Sequence, residues 1–208
     1  FTIFGLLAAD EAIKQANLNN GKHSDVGVII GSGIGGISTI EIQHKRLLNH
    51  PKRVSPYFIP TMISDIAAGH ISIKYGFKGI NYGVVSACAT GSHAIGDAYR
   101  QIKHGYEDII IAGGCEAPIT PMSIAGFSNM KALTQNPNIN SACRPFDLNR
   151  DGFVMGEGAG VLILESEKSA IKRKAEILCE ITGYGATADA FHLTTPVPDG
   201  IGASEAMR

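Results

Sequence analysis

The chain has 208 residues, with 18 basic and 19 acidic side chains, a net charge of −1 and a mean hydropathy of +0.08. Near neutrality excludes a general nucleic-acid binder, which needs a basic face, and no apolar run approaches the roughly 20 residues of a membrane span. A chain of this size buries a core as one domain, and 25 glycines against a charged fraction of 18% point to tight turns and close-packed elements.

Phe1-Thr2-Ile3-Phe4 has no initiator Met and reads as the interior of an element, and residues 5–18 have helical composition. Val26 to Ile30 is an apolar strand run. It is followed by the loop Gly31-Ser32-Gly33-Ile34-Gly35-Gly36 and a helix over 37–48. Pro51, Pro56 and Pro60 mark an irregular connection, and Thr61 to Ser72 reads as a helix capped by Thr61 or Ser64. A β-rich run, Tyr82 to Ser86, passes through small residues into a helix from Ala89 to Lys103. Asp108 to Ala112 is a strand ended by Gly113-Gly114, residues 115–152 mix short helices with loops, and Val161 to Leu164 is a strand. A charged helix follows from Glu165 to about Lys174, then a last strand from Ile177 to Gly183. Near-continuously apolar strands alternating with helices indicate an α/β architecture with the strands covered on both faces. Residues 202–208 read as a helix cut off after its first turns, so the chain is expected to be part of a longer protein, with no signal peptide in view.

Cys88, Cys115, Cys143 and Cys179 are widely spaced and form no C-x-x-C pair. This argues against structural zinc and a disulfide framework and for a reduced, cytoplasmic setting in which three of the four are inert core residues. Cys88 stands apart because it sits at a strand-to-helix corner. A helix start contributes roughly 1–2 kcal/mol toward an anion in a partly buried site, which favours the nucleophilic thiolate. The free N–H groups there also suit an oxyanion formed in acyl transfer.

The other motifs are weaker. Gly31 to Gly36 fits G-x-G-x-x-G in a strand–helix context, but the acidic residue that a dinucleotide site needs about 20 positions later is absent, where the chain reads Pro51-Lys52-Arg53. A glycine turn for close packing is favoured, or a glycine-lined wall that admits a flexible substrate. His93, five residues after Cys88 on one helix, lies about 140° round the axis and suits packing better than catalysis. His70 is read as structural, His23, His44, His50 and His104 as surface residues, and His192 as a candidate for a site role. In Asp147 to Gly160 a calcium loop would need an acidic ligand at position twelve, which is Gly158. Arg144, Asp147, Arg150, Asp151 and Glu157 read instead as ion pairs that fix the loop.

Taken together, Ser86-Ala87-Cys88-Ala89-Thr90-Gly91-Ser92-His93-Ala94-Ile95-Gly96 resembles the nucleophile motif of the β-ketoacyl-[acyl-carrier-protein] synthases. Gly31 to Gly36, Arg144-Pro145-Phe146-Asp147, Asp151 to Gly160 and Asp189-Ala190-Phe191-His192 resemble further stretches of that family in the right order. Ile34 resembles the type II enzymes, which elongate medium to long acyl chains.

The resemblance implies a thiolase-like layered αβαβα fold. Residues 1–197 would be the N-terminal half, incomplete at its start, and 198–208 the opening of the C-terminal half. It implies that Cys88 carries an acyl group as a thioester, that malonyl-acyl-carrier protein then loses CO2 and attacks it, and that no cofactor is needed. Ile34, Phe58 and Phe127 would line the acyl pocket, and Lys52, Arg53 and Lys131 would dock the acidic acyl-carrier protein. A homodimer is expected. The family also needs two histidines, a lysine and a phenylalanine N–H from its second half, and none of the seven histidines here matches those motifs. The competing readings are an inactive fragment or dimerisation scaffold, and a thiolase acting on coenzyme A thioesters.

Overall fold

The computed structural model describes residues 1–18 and 24–208; His23 lies outside the described residues. Among the described residues four strands form one sheet: β1 (Val26–Gly31), β2 (Asn81–Tyr82), β3 (Ile109–Glu116) and β4 (Gly158–Glu165), in the order β2-β1-β3-β4. β1 runs parallel to both β2 and β3, whereas β4 lies antiparallel on β3, with Ile109 opposite Glu165 and Glu116 opposite Gly158.

Side chains alternate across a strand, and here both faces are apolar. Val26, Val28, Ile30, Ile109 and Ile111 point to one side, where they meet Ala9 and Ile13 of α1 (Thr2–Gln15) and Ala67, Ala68 and Ile71 of α4 (Ile66–Tyr75). Ile29, Ile110 and Ala112 point to the other and meet Ala94 and Ala98 of α5 (Thr90–Lys103). Each fully buried Ile contributes roughly 1.5–3 kcal/mol, and the small alanines let the helices settle close to the sheet. This is a three-layer α/β/α sandwich, so the expected α/β class and two-faced burial hold.

The remaining helices are α2 (Ile37–Asn49), α3 (Phe58–Met62), α6 (Pro121–Asn129), α7 (Ile139–Ala142), α8 (Glu167–Arg173) and α9 (Ile201–Met207). The helix expected over 61–72 is in fact two, α3 and α4. Ile63 leaves α3 with extended backbone, and the Met62 carbonyl accepts from the Gly36 N–H at 2.9 Å instead of continuing the helix. Neither Thr61 nor Ser64 caps α4; the Thr61 hydroxyl donates to carbonyls of its own turn, and Asp65 holds the cap position.

Two strand boundaries also differ from expectation. β2 ends at Tyr82, and residues 83–86 continue without a ladder partner. β3 runs through Gly113-Gly114 to Glu116, because a side chain at Gly113 would strike the Gly160 carbonyl of β4 and one at Gly114 would sit 3.2 Å from the Gly91 Cα. The glycines there permit close approach rather than end the strand.

Residues 177–183 form no strand. Ile177 and Leu178 face outward, and the segment is held instead by Tyr184, whose ring packs over Gly96 of α5 beneath Arg100, 4.8 Å away. α9 packs back on this stretch, with the Thr187 hydroxyl donating to the Gly202 carbonyl.

Candidate active site

The corner that carries Cys88 is built from backbone and small side chains. After β2 the chain runs extended to Ser86, makes a 3-10 turn over Ala87–Ala89, and enters α5. Within it the Ser86 N–H donates to Thr90 Oγ1 at 2.9 Å, the Ala89 N–H donates to the Ser86 carbonyl at 3.1 Å, and Ser86 Oγ lies 2.6 Å from His93 Nδ1. Ala87 has φ of 49°, a left-handed conformation that is strained for a residue with a Cβ. That strain turns the following residue outward. Cys88 is exposed, and its N–H has no acceptor among the described residues.

Glycines let three elements meet under this corner. A Cβ on Gly31 would fall far inside contact with Thr90 Cγ2 and 2.5 Å from the Val84 carbonyl oxygen. β1 therefore meets the backbone at the exit from β2 and the Thr90 side chain of the first turn of α5 at one point.

Cys88 opens into a cleft of ≈ 730 Å³. Its floor is the glycine-rich ends of β1, β3 and β4, and its walls are Ile34, Ile95, Phe127, Phe153, Val154 and Met155. Phe127 and Phe153 meet edge to face, with ring centres 5.2 Å apart. Such a wall suits an apolar, flexible chain.

The glycine loop has no free cradle for phosphate. Glu116, at the end of β3, accepts the Gly33 and Ile34 N–H groups at 2.7 and 3.2 Å and the Ser32 hydroxyl at 2.8 Å. A pyrophosphate would have to displace this internal carboxylate, so the geometry favours the packing reading of the loop over the nucleotide one. Among the described residues no group of three His, Cys, Asp or Glu side chains is placed to hold a metal ion.

Of the residues singled out in the sequence, Cys88, Ile34 and Phe127 share the cleft. Phe58 does not; it lines a separate cavity of ≈ 360 Å³ with Ile40, Leu47, Val54 and Met122, because α3 packs against α2. Lys52 and Arg53 lie exposed on a 3-10 turn, and Lys131 is exposed just after α6 with φ of 57°. None of the three makes an ion pair among the described residues.

His93 is engaged by Ser86 and by the edge of Tyr184, with ring centres 6.3 Å apart, in keeping with a packing role. His44, His50 and His104 are exposed, and so is His70. His192 is exposed too and accepts the Thr194 and Thr195 N–H groups, so it braces a turn outside the cleft.

Of the cysteines expected in the core, only Cys115 is buried, and burial pushes its thiol up to about 11. Cys143 and Cys179 are exposed, because they lie on segments with no sheet behind them, where Phe146, Leu148 and Leu178 also face outward.

The loop after Arg144 contains a single ion pair among the described residues, Arg144 to Asp151 at 3.0 Å. The Thr134 hydroxyl and the Gln135 N–H also donate to Asp151, and with the nearby Arg144 charge they hold its carboxyl below the usual range. Asp147 accepts the Asn149 N–H, Arg150 donates to the Asp147 carbonyl, and Glu157 accepts the Ile119 N–H, so backbone groups rather than paired charges fix the rest.

Glu116 lines the cleft without having been singled out, and Phe153 and Met155, inside the Asp151 to Gly160 stretch, line it without having been given a role. Glu116 had a readable signal, a lone carboxylate closing an otherwise apolar strand.

The family described as Beta-ketoacyl synthase, N-terminal domain, matches residues 1–170. The chain is 53% identical to 3-oxoacyl-[acyl-carrier-protein] synthase 2 of Staphylococcus aureus (strain N315), and 49% identical to the protein of the same name in Synechocystis sp. (strain ATCC 27184 / PCC 6803 / Kazusa). In each case the match takes in 100% of this chain and 51% of the relative, so the chain spans about half the length of these curated proteins. Among solved structures, it resembles a type II PKS acyl-carrier protein in complex with its ketosynthase bound to the hexaketide, with TM-score 0.94 and 33% identity over 99% of this chain and 53% of that one. The ishigamide ketosynthase/chain length factor is similar at TM-score 0.87 and 31% identity, over 100% of this chain and 51% of that one.

Proposed function

Because this chain belongs to the β-ketoacyl synthase family, we propose that it supplies the acyl-accepting half of a 3-oxoacyl-[acyl-carrier-protein] synthase. The observation that carries the proposal is the exposed Cys88, on a strained turn with an unengaged N–H, opening into an apolar-walled cleft.

In the first step the Cys88 sulfur attacks the carbonyl of an acyl thioester, and the carrier's thiol leaves with the proton that the cysteine gives up. The Cys88 N–H is one donor to the oxyanion of that tetrahedral intermediate. Ile34 and Phe127 flank the alkyl chain. In the second step malonyl-acyl-carrier protein loses CO2, its carbanion attacks the Cys88 thioester, and the Cys88 thiolate leaves. The product is a 3-oxoacyl chain two carbons longer. Dividing the condensation in this way lowers each barrier and gives ping-pong kinetics.

Decarboxylation is assigned to residues outside this chain, since no histidine among the described residues lines the cleft. Phe58 lines a separate cavity of this chain, so within the chain the acyl wall is assigned to Ile34 and Phe127. The exposed Lys52, Arg53 and Lys131 are assigned to the acidic carrier, the role for which unpaired basic side chains suit best. A homodimer and a cytoplasmic setting belong to the same reading; among the described residues no helix is long and apolar enough to cross a membrane. The thiolase alternative is disfavoured by the 53% and 49% identical relatives, both named as synthases.

The test is acylation of the natural polypeptide containing these residues by radiolabelled acyl-acyl-carrier protein. Label should appear on Cys88 and vanish in Cys88→Ala. Undiminished labelling of that variant would refute the assignment.

A further inference from the structure

We propose that Glu116 is a positioning residue of the acyl site, a clamp on the glycine loop that holds Ile34 in place and so sets how strongly the cleft discriminates among acyl chain lengths. The inference rests on the acyl-transfer reading above.

One carboxylate fixes four consecutive residues. Its Oε1 accepts the Ser32 hydroxyl at 2.8 Å, its Oε2 accepts the Gly33 and Ile34 N–H groups at 2.7 and 3.2 Å, and the Gly35 N–H donates to Ser32 Oγ at 2.9 Å. Ser32 is 1% exposed, so its hydroxyl has no water to turn to. Among the described residues Glu116 has no cationic partner, and its charge is met by these N–H and O–H donors. Hydrogen bonds to a charged acceptor are about twice as strong as neutral ones, and the clamp is anchored on β3, a strand paired on both sides.

The loop is also pressed from the other direction. A Cβ at Gly33 would lie 2.9 Å from Glu116 Oε2 and 3.2 Å from the carbonyl oxygen of Ala87, the residue before Cys88. Gly33 is thus caught between the clamp and the nucleophile's turn. Ile34, next along, is 37% exposed in the cleft. Its height on the wall is set by the backbone beneath it, which is the segment Glu116 holds. A long acyl chain must pass Ile34; an acetyl group on Cys88 need not.

The experiment uses the natural polypeptide and carrier protein loaded with acetyl, hexanoyl or tetradecanoyl groups, and follows single-turnover acylation of Cys88 by intact mass. Glu116→Ala should narrow the spread of rates between chain lengths by about tenfold, within the range by which a pocket contact discriminates methylenes. Glu116→Gln keeps a carbonyl acceptor for the two N–H groups but loses the charge, and should narrow the spread by about threefold. A spread that is unchanged or wider, or all three rates falling in parallel as a merely structural defect would produce, overturns the proposal. If Glu116→Ala does not fold, Glu116→Gln decides the question on the same criterion. Absence of Cys88 acylation in the unmutated enzyme would instead sink the parent reading.

Discussion

Ser86 Oγ and His93 Nδ1 lie 2.6 Å apart, and that contact fastens the end of the extended run to the first turn of α5 across the strained turn that carries Cys88. His93 is therefore a strut for the corner. A general base contributes about 10²–10⁴ in rate, whereas losing one hydrogen bond costs about 1 kcal/mol. His93→Ala should lower the urea midpoint modestly and slow Cys88 acylation by no more than about tenfold. A hundredfold or greater loss of acylation, with the urea midpoint unchanged, would assign His93 a catalytic role instead.

Gly31 and Gly126 make a contrasting pair. A side chain at Gly31 would press on Thr90 and on the Val84 backbone, which cannot rotate away, while a side chain at Gly126 meets nothing within 4 Å. Gly31→Ala should cost about 1–3 kcal/mol through overpacking and displace the Cys88 turn. Gly126→Ala, in the interior of α6, should stabilise by about 0.5–1 kcal/mol. Urea unfolding of both variants measures the difference, and equal midpoints would contradict this account of the glycine floor.

How far the sequence shows this site depends on how local each feature is. The Cys88 corner was legible because an apolar run, a set of small residues and a helix follow one another within a dozen positions. β1 and the core of β3 were legible from continuous apolar character. The Gly113-Gly114 pair misled, since glycine ends strands in one context and permits close approach in another, and only the facing Gly160 and Gly91 decide which. Ile177 to Gly183 misled for a related reason: hydrophobicity marks a run for burial but does not name its partner. Ser32 and Glu116, 84 positions apart, meet only because β1 and β3 pair in register. The separation of Phe58 from the cleft likewise follows from how α2 and α3 pack, which no local pattern encodes.

Charge at Lys52, Arg53 and Lys131 should act on carrier-borne substrates alone. Lys131 has φ of 57°, a conformation that Asn tolerates, so Lys131→Asn removes the charge without adding backbone strain. Combined with Lys52→Ala and Arg53→Ala, it should lower kcat/KM for acyl-acyl-carrier protein about tenfold at low salt, with the deficit shrinking as salt screens the interaction. Acylation by a small pantetheine thioester should be unaffected. Equal losses with both donors, or a deficit indifferent to salt, would show that these side chains do not dock the carrier.

Cys115 links folding to alkaline pH. Burial is the main cause that lifts its thiol from the ordinary 9.0 to about 11, and the neighbouring Glu116 charge pushes the same way. Between those values the unfolded chain releases a proton that the folded chain retains. Unfolding is then favoured by rising pH, so this group leaves stability unchanged below about 9 and erodes it progressively from 9 to 11. At about 1.4 kcal/mol per pKa unit the loss across the window is on the order of 3 kcal/mol. Tyr75, raised to about 12 mainly by burial and then by its hydrogen bond to Asp10, adds to the alkaline loss above pH 10 but does so equally in a cysteine variant. Urea midpoints at pH 8 and 10.5 should therefore fall less in Cys115→Ala than in the unmutated protein. At pH 8 iodoacetamide should modify the exposed Cys88 in the native protein and reach Cys115 only in denaturant. Parallel alkaline curves for the two proteins, or native alkylation of Cys115 at the rate of Cys88, would show that Cys115 is not withheld from water as its position beneath the cleft requires.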